Sequence, residues 1–342
     1  MAFINFNPQD YFNTILYTGT GSSNAKTGVG FAPNMVWLKS RSNAQKHCVF
    51  DTTRGVQKVV YTDNSGVEVT DAQLITAFGS DGYTLGTDSD INGSGWTYAG
   101  WNWKAATTTV PSGGSITPSA VAIDTTAKQG IYKWTGTGAN ATIAHGLGAA
   151  PQFMLVKNCD TSNDWNVYHM AKGPNFRGFL NTTGDFEDQI TGWNDTAPTT
   201  TEFSIGTNTN VNQSGDTMVA YVFCAVKGYS KMGIYEGNGS SSAAPFTYTG
   251  FRPAWILIKR LASSNNWFLW NDKDAGYNPD NNCLNPNTTA ANNTSDFIKI
   301  FSNGFTFMTT DSEINGDAGL YVYAAFASNP MVDSNGNPAL AR

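Results

Sequence analysis

The sequence predicts an all-β protein of three tandem β-sandwich domains, and two observations carry that reading. The first is composition. Of 342 residues only 13% are charged, 13% are aromatic, and Gly, Thr and Asn number 35, 40 and 35. Thr, Tyr, Phe and Trp suit half-buried strands, while Asn and Gly suit turns. A helical bundle would need far more Ala, Glu, Lys and Leu, and a disordered chain would lack the aromatics.

The second observation is an internal repeat. Gly30-Phe31-Ala32-Pro33 through Trp37-Leu38-Lys39 matches Gly250-Phe251-Arg252-Pro253 through Leu257-Ile258-Lys259, and Gly148 to Lys157 is a looser third copy. Downstream, Asp88-Ser89-Asp90-Ile91-Asn92-Gly93 matches Asp311-Ser312-Glu313-Ile314-Asn315-Gly316, with Asn208 to Asn212 in the middle copy. The separations are 59 positions from Pro33 to Asn92, 61 from Pro151 to Asn212 and 62 from Pro253 to Asn315. Successive prolines lie 118 and 102 residues apart, too long for a solenoid repeat and long enough for a domain with its own core.

These anchors place the elements in order. Residues 1–14 form an N-terminal attachment segment, including Phe3 to Phe12. The first repeat spans 15–105, a linker 106–128, the second repeat 129–227, the third 228–328, and a polar tail 329–342. Each repeat opens on a tyrosine and a Gly-rich turn: Tyr17 to Gly21, Tyr132 to Gly138, Tyr235 to Gly239. Short apolar runs then begin just after proline and end at lysine: Met35 to Lys39, Phe153 to Lys157, Trp255 to Lys259. They read as central strands buried on both faces, with each lysine snorkelling to solvent. Phe203 to Gly206 and Phe305 to Met308 alternate like half-buried strands. Each repeat closes on an aromatic strand: Tyr98 to Trp103, Val219 to Phe223, Leu320 to Phe326. One helix is expected at 71–78, where Leu74, Ile75 and Phe78 share a face. The linker is rich in Pro, Gly, Ser and Thr, although Ser119 to Ile123 could pair as an edge strand. The second and third repeats are nearly fused through Val226 to Ser230.

The same residues bear on function. A net charge of −6 argues against nucleic-acid binding, which needs clustered Lys and Arg. No run of apolar residues is long enough to cross a membrane as a helix, and the N-terminus has no signal-peptide pattern, so folding in a cytosol is expected. Cys48, Cys159, Cys224 and Cys283 are unclustered and read as buried thiols.

Catalytic patterns are missing. His47 takes a slot filled by Trp165 and Trp267 in the other repeats, and His145 and His169 have no acid or nucleophile beside them in sequence. Asp185, Glu187 and Asp188 cluster in one repeat only and read as a solvated loop. Asp88-x-Asp90-x-Asn92-Gly93 resembles half a calcium loop, but Ala99 stands where the closing Glu belongs. Asx-turn chemistry explains all three copies better. The expectation is no enzyme, no cofactor and no metal site. Trp37, Trp103 and Trp255 read as core, whereas Trp96 and Trp193 lie in turn-rich stretches and are the candidate surface contacts for a sugar, although packing is the favoured reading there too.

A set of motifs in the first two repeats resembles a family. They are Asp10-Tyr11-Phe12-Asn13-Thr14, Tyr17-Thr18-Gly19-Thr20-Gly21, Gly30-Phe31-x-Pro33-x-x-x-Trp37-Leu38-Lys39 and Asp51-x-x-Arg54-Gly55. Phe78-x-Ser80-Asp81-Gly82-Tyr83-Thr84-Leu85-Gly86, Trp101-Asn102-Trp103-Lys104-Ala105, Gly114-Ser115-Ile116-Thr117 and His145-Gly146-Leu147-Gly148-x-x-Pro151 complete the set. It resembles a repeated domain of uncharacterised function encoded by tailed bacteriophages, notably marine and cyanobacterial ones. The third repeat departs more, with Ala325-Phe326-Ala327 and no lysine after the closing strand.

The resemblance implies lectin-like, jelly-roll sandwiches in a virion structural protein, assembled in the host cytoplasm. The role it implies is a tail fibre or surface appendage in host attachment. A capsid decoration or head-fibre protein, or a non-catalytic carbohydrate-binding module, is the alternative. Implied partners are other virion proteins, further copies of the chain (unpaired aromatic strands and sparse charge suit lateral packing, and a trimer is favoured as the usual assembly of such fibres) and a host-surface glycan. Nucleic acid and membrane insertion are not among them.

Overall fold

The computed structural model describes residues 4, 6–262, 264–274, 278–280, 282–295 and 298–330, the last three as backbone. The expected tail beyond Pro330 and the start of the attachment segment, Met1 to Phe3 and Asn5, lie outside the described residues. The fold is all-β: antiparallel sheets with a few one-turn helices.

Each repeat contributes one large sheet with the same core order. An opening strand (Phe12–Thr18, Gln129–Thr135, Ser230–Glu236) pairs with the aromatic closing strand (Thr97–Trp103, Thr217–Phe223, Leu320–Pro330). The closing strand pairs in turn with the lysine strand (Met35–Ser40, Phe153–Asn158, Phe251–Arg260), and that strand with a fourth (Cys48–Asp51, Asn166–His169, Trp267–Asn271). The register repeats as well: Phe12, Gln129 and Ser230 stand opposite Trp103, Phe223 and Phe326.

A small sheet covers one face of each large sheet. It contains Asn24–Lys26 with Gly82–Leu85 in the first unit, Ala141–Ala144 with Glu202–Ile205 in the second, and Thr247–Tyr248 with Gly304–Phe307 in the third. The core between the layers joins Val36, Leu38 and Phe50 to Tyr83, Leu85 and Ile91 in the first unit. In the second it joins Met154 and Val156 to Ile143 and Phe203, and in the third Ile256 and Ile258 to Phe305 and Phe307.

The other face of each large sheet meets its counterparts. Met35, Trp37 and Trp103, then Leu155, Tyr221 and Phe223, then Trp255, Leu257 and Phe326 belong to one continuous core shared by the three units. At its centre the last aromatic of each closing strand touches the other two. Trp103–Phe223, Phe223–Phe326 and Trp103–Phe326 lie 6.1, 5.2 and 5.6 Å apart between ring centroids. Such pairs add about 0.5–1.5 kcal/mol each beyond their buried area. The lysine strands are therefore apolar on both faces because each large sheet is a middle layer. Trp37, Trp103 and Trp255 are core residues, as expected. The aromatic strands that pointed to packing between chains pack within this one.

Polar contacts close the same ring. The three lysines do not snorkel to solvent; all are buried. Lys157 Nζ donates to the Ser65 carbonyl of the first unit at 3.1 Å, Lys259 Nζ to the Thr183 carbonyl of the second at 3.2 Å, and Lys39 Nζ to the Thr289 carbonyl of the third at 3.0 Å. Each lysine strand ends at a unit boundary, so its terminal side chain reaches a neighbouring loop instead of water. The indoles follow the same direction: Trp165 donates to the Tyr61 carbonyl and Trp267 to the Phe179 carbonyl, both at 2.7 Å.

Two further expectations change. The segment 71–78 is not helical. Ile75–Gly79 is a strand that turns tightly at Ser80-Asp81 into Gly82–Leu85. An isolated two-turn helix is marginal, and ladder pairing with burial of Leu74 and Ile75 outweighs it. The segment 106–128 is built into the second unit and is not a free linker. Ala120–Asp124 pairs with the opening strand, in line with the edge strand expected at Ser119 to Ile123, and Ile116 is buried. The N-terminal segment also docks on the body, where Phe6 and Tyr11 pack on Tyr229 and Phe12 on Phe326.

Candidate functional site

The histidines, the strand-end lysines and the cysteines are buried, and the histidines and lysines are hydrogen-bonded within or between the units. The His169 Nε2 lies 3.0 Å from the Tyr323 carbonyl in the third unit, and its Nδ1 accepts from the Ala171 N–H at 3.2 Å. Burial lowers its pKa to about 4. His145 has Nε2 at 3.2 Å from the Thr199 carbonyl and accepts the Leu147 N–H on Nδ1. Its pKa is lowered by burial. His47 accepts from the Trp37 indole at 3.1 Å, and burial, then Lys39, push it well below the usual range. Burial likewise lowers Lys39, Lys157 and Lys259 to about 8. All four cysteines are buried thiols, none of them in a disulfide.

One buried network was not legible in sequence. Arg54 Nε donates to Asp51 at 2.5 Å, and the Tyr221 hydroxyl of the second unit donates to the same carboxylate at 2.7 Å while accepting from Arg54 at 3.1 Å. Burial alone would raise the Asp51 pKa; the Arg54 guanidinium overrides it and holds the carboxyl below its ordinary value. The network sits on a unit boundary, and Arg54 extends it through Glu68 at 3.3 Å to Lys58 near the surface. Of the acidic cluster in the second repeat, Glu187 pairs with Arg177 at 2.6 Å on the surface.

The calcium-like loops have a structural explanation. Asp88, Asn208 and Asp311 cap one-turn helices that end at the buried Asn92, Asn212 and Asn315. Asn92 Oδ1 accepts the Thr20 N–H at 2.9 Å, and its amide donates to the Ser22 and Gly86 carbonyls at 2.6 Å each. Asn212 and Asn315 hold Thr137 and Asn238 in the same way. An amide is needed because it must accept and donate at once, which a carboxylate cannot do. The Gly-rich turn is the other half of the clamp. A Cβ on Gly19, Gly136 or Gly237 would lie 2.3, 2.1 or 2.5 Å from the carbonyl of Gly93, Gln213 or Gly316. Among the described residues no group of three or more His, Cys, Asp or Glu could hold a metal ion.

The two tryptophans proposed as surface contacts come apart. Trp193 is buried at the end of the helix Ile190–Trp193, where its indole donates to the Phe176 carbonyl and its ring packs edge-on against Tyr168. A turn-rich sequence here holds a core side chain, because the one-turn helix points it inward. Trp96 is half-buried and lies over Gly93.

An open groove lies on the third unit. It encloses about 510 Å³ between the opening strand and the strand Thr247–Tyr248, with Gly233, Ile234, Phe246, Thr247, Tyr248 and Tyr323 in its wall. Ile234, Phe246 and Tyr248 are 47%, 49% and 51% exposed. Lys231 Nζ donates to the Tyr248 carbonyl at 2.6 Å and stands at one end. The Thr247 hydroxyl is buried and has no partner among the described residues.

A family model described as Domain of unknown function (DUF7483) matches residues 7–330, across all three repeats, and the chain belongs to that family. No curated protein matches the chain.

Proposed function

We propose that this DUF7483 protein is a non-catalytic structural protein of a bacteriophage particle, a tail fibre or surface appendage that takes part in host attachment. The observation that carries the non-catalytic part is the closed ring. Its histidines, its three strand-end lysines and the Asp51–Arg54 pair are buried and committed to contacts within and between units. A body tied together around one aromatic axis resists deformation and presents outer loops, the mechanical need of an appendage. The phage assignment rests on the resemblance of the first two repeats to phage-encoded domains, as does the finer description of each sandwich as a lectin-like jelly roll.

The partners in this reading are other virion proteins and a host-surface glycan. A homotrimer is the favoured assembly. The aromatic strands are already covered within the chain, so its contacts would fall on the outer surfaces of the units. A capsid decoration or head-fibre protein is the near variant. Gold-labelled antibody against the protein, applied to intact particles, tests the assignment. Label on tails or fibres supports it, label on heads favours the decoration role, and purified particles that lack the protein refute it.

A further inference from the structure

The second and third units differ along one side. In the second, the segment before the unit closes both layers of the sandwich. Ala120–Asp124 pairs with the opening strand of the large sheet, and Gly114 and Ile116 bridge Ile143 of the small sheet. Ile116, Val121 and Ile123 fill the gap between them as part of the unit core.

The shared register identifies the corresponding positions in the third unit. Lys133 corresponds to Ile234, since Gln129 and Ser230 stand opposite Phe223 and Phe326. Ile143, opposite Phe203, corresponds to Thr247, opposite Phe305. Nothing comparable precedes this unit, because the previous closing strand ends at Phe223 and the opening strand begins at Ser230. The place filled in the second unit is the groove of about 510 Å³ in the third.

The exposed edge is ready for pairing. The Gly237 N–H donates to the Gly319 carbonyl and the Ala327 N–H to the Tyr229 carbonyl, so odd-numbered residues of the opening strand bond the closing strand. The N–H and C=O groups of Met232 and Ile234 therefore point outward, and among the described residues no strand pairs with them. Unpaired edge groups beside an open groove are the template for strand addition.

We propose that this groove binds an extended peptide segment of a partner protein, which adds as a strand to Ser230–Glu236 and sets apolar side chains into the groove at alternate positions. The chain itself shows the chemistry required: Val121 and Ile123 occupy those positions in the second unit, opposite Tyr132 and Gly130, whose counterparts are Gly233 and Lys231. The inference does not depend on the virion reading.

The probe is a fluorescent synthetic peptide of residues 114–125 of this chain, added to the full-length protein. The second unit retains its own copy of that segment at high effective concentration, and since the first unit's opening strand is also a sheet edge, Ile234→Pro assigns the binding to the third. Saturable binding of one equivalent is expected. It should weaken at least tenfold in Ile234→Pro, which removes an outward N–H and keeps every bond to the closing strand, so the melting midpoint should hold. It should weaken equally when Ala122 of the peptide is N-methylated. Absence of saturable binding up to millimolar peptide, or binding indifferent to both changes, overturns the proposal. So does concentration-dependent dimerisation lost in Ile234→Pro without peptide binding, which would assign the edge to a second copy. A glycan-array signal lost in Tyr248→Ala without peptide binding would assign the groove to carbohydrate and overturn it equally.

Discussion

Acid should loosen this protein through His169, by an amount set by its surroundings. The ring is 1% exposed, stacked edge-on against Phe153, with one nitrogen facing the Tyr323 carbonyl and the other accepting the Ala171 N–H. A second proton would have to sit on Nδ1, against that N–H, without water. The pKa accordingly lies at about 4 in the folded chain, against an ordinary 6.5. Above 6.5 the group is neutral folded and unfolded, and stability does not depend on it. Between 6.5 and 4 only the unfolded chain binds the proton, so stability falls as pH falls, and it levels off below 4. At about 1.4 kcal/mol per unit, the full drop is about 3 kcal/mol. His145 and His47, also lowered by burial, act in the same direction. The assay is urea unfolding from pH 7 to pH 4 for the wild type and His169→Gln, which keeps a donor for Tyr323. The difference between the two proteins should narrow by roughly 3 kcal/mol over that range. Parallel pH profiles would refute the reasoning.

Trp103→Ala should cost about 3–5 kcal/mol and lower one calorimetric transition for the whole chain, since the indole touches both other units. A separate early transition with the rest unchanged would contradict the shared core. Lys157→Met removes donors from the Ser65, Asn158 and Asn163 carbonyls and should destabilise by about 2–4 kcal/mol in chemical denaturation, whereas a change below about 0.5 kcal/mol would mean the ammonium is not needed there. Asn92→Asp turns two donated hydrogen bonds into contacts between a carboxylate and carbonyl oxygens, and a loss of about 2–4 kcal/mol is expected by thermal melting. A variant stabilised by added calcium would instead reveal a metal loop.

Much of this was legible because the repeat was written into short-range chemistry. Pro33 and Pro151 stand just before their lysine strands, Pro253 lies at a register shift near the start of its own, and Asn92, Asn212 and Asn315 end the capped turns, because these jobs depend on backbone geometry within a few residues. The helix expected at 71–78 failed for the opposite reason: apolar spacing over eight residues fits a helix face as well as a turn followed by a strand, and pairing with Gly82–Leu85 decided it. The burial of Trp193 could only be weighed, not read, because turn composition tells where the chain bends, not where a side chain points.

The sequence by itself determined the all-β class, the repeated anchors along the chain and the residues that turn the chain at each of them. Only the tertiary structure decided what covers the second face of each large sheet. A run such as Met35 to Lys39 states that both faces leave water, but burial is non-directional and names no partner. The same holds for Lys39, Lys157 and Lys259: a lysine closing a strand reads alike whether its ammonium meets water or, as here, the carbonyls of the next unit. The open side of the third unit was equally invisible, since a missing strand leaves no residue to read, only an edge whose amides find no partner among the described residues.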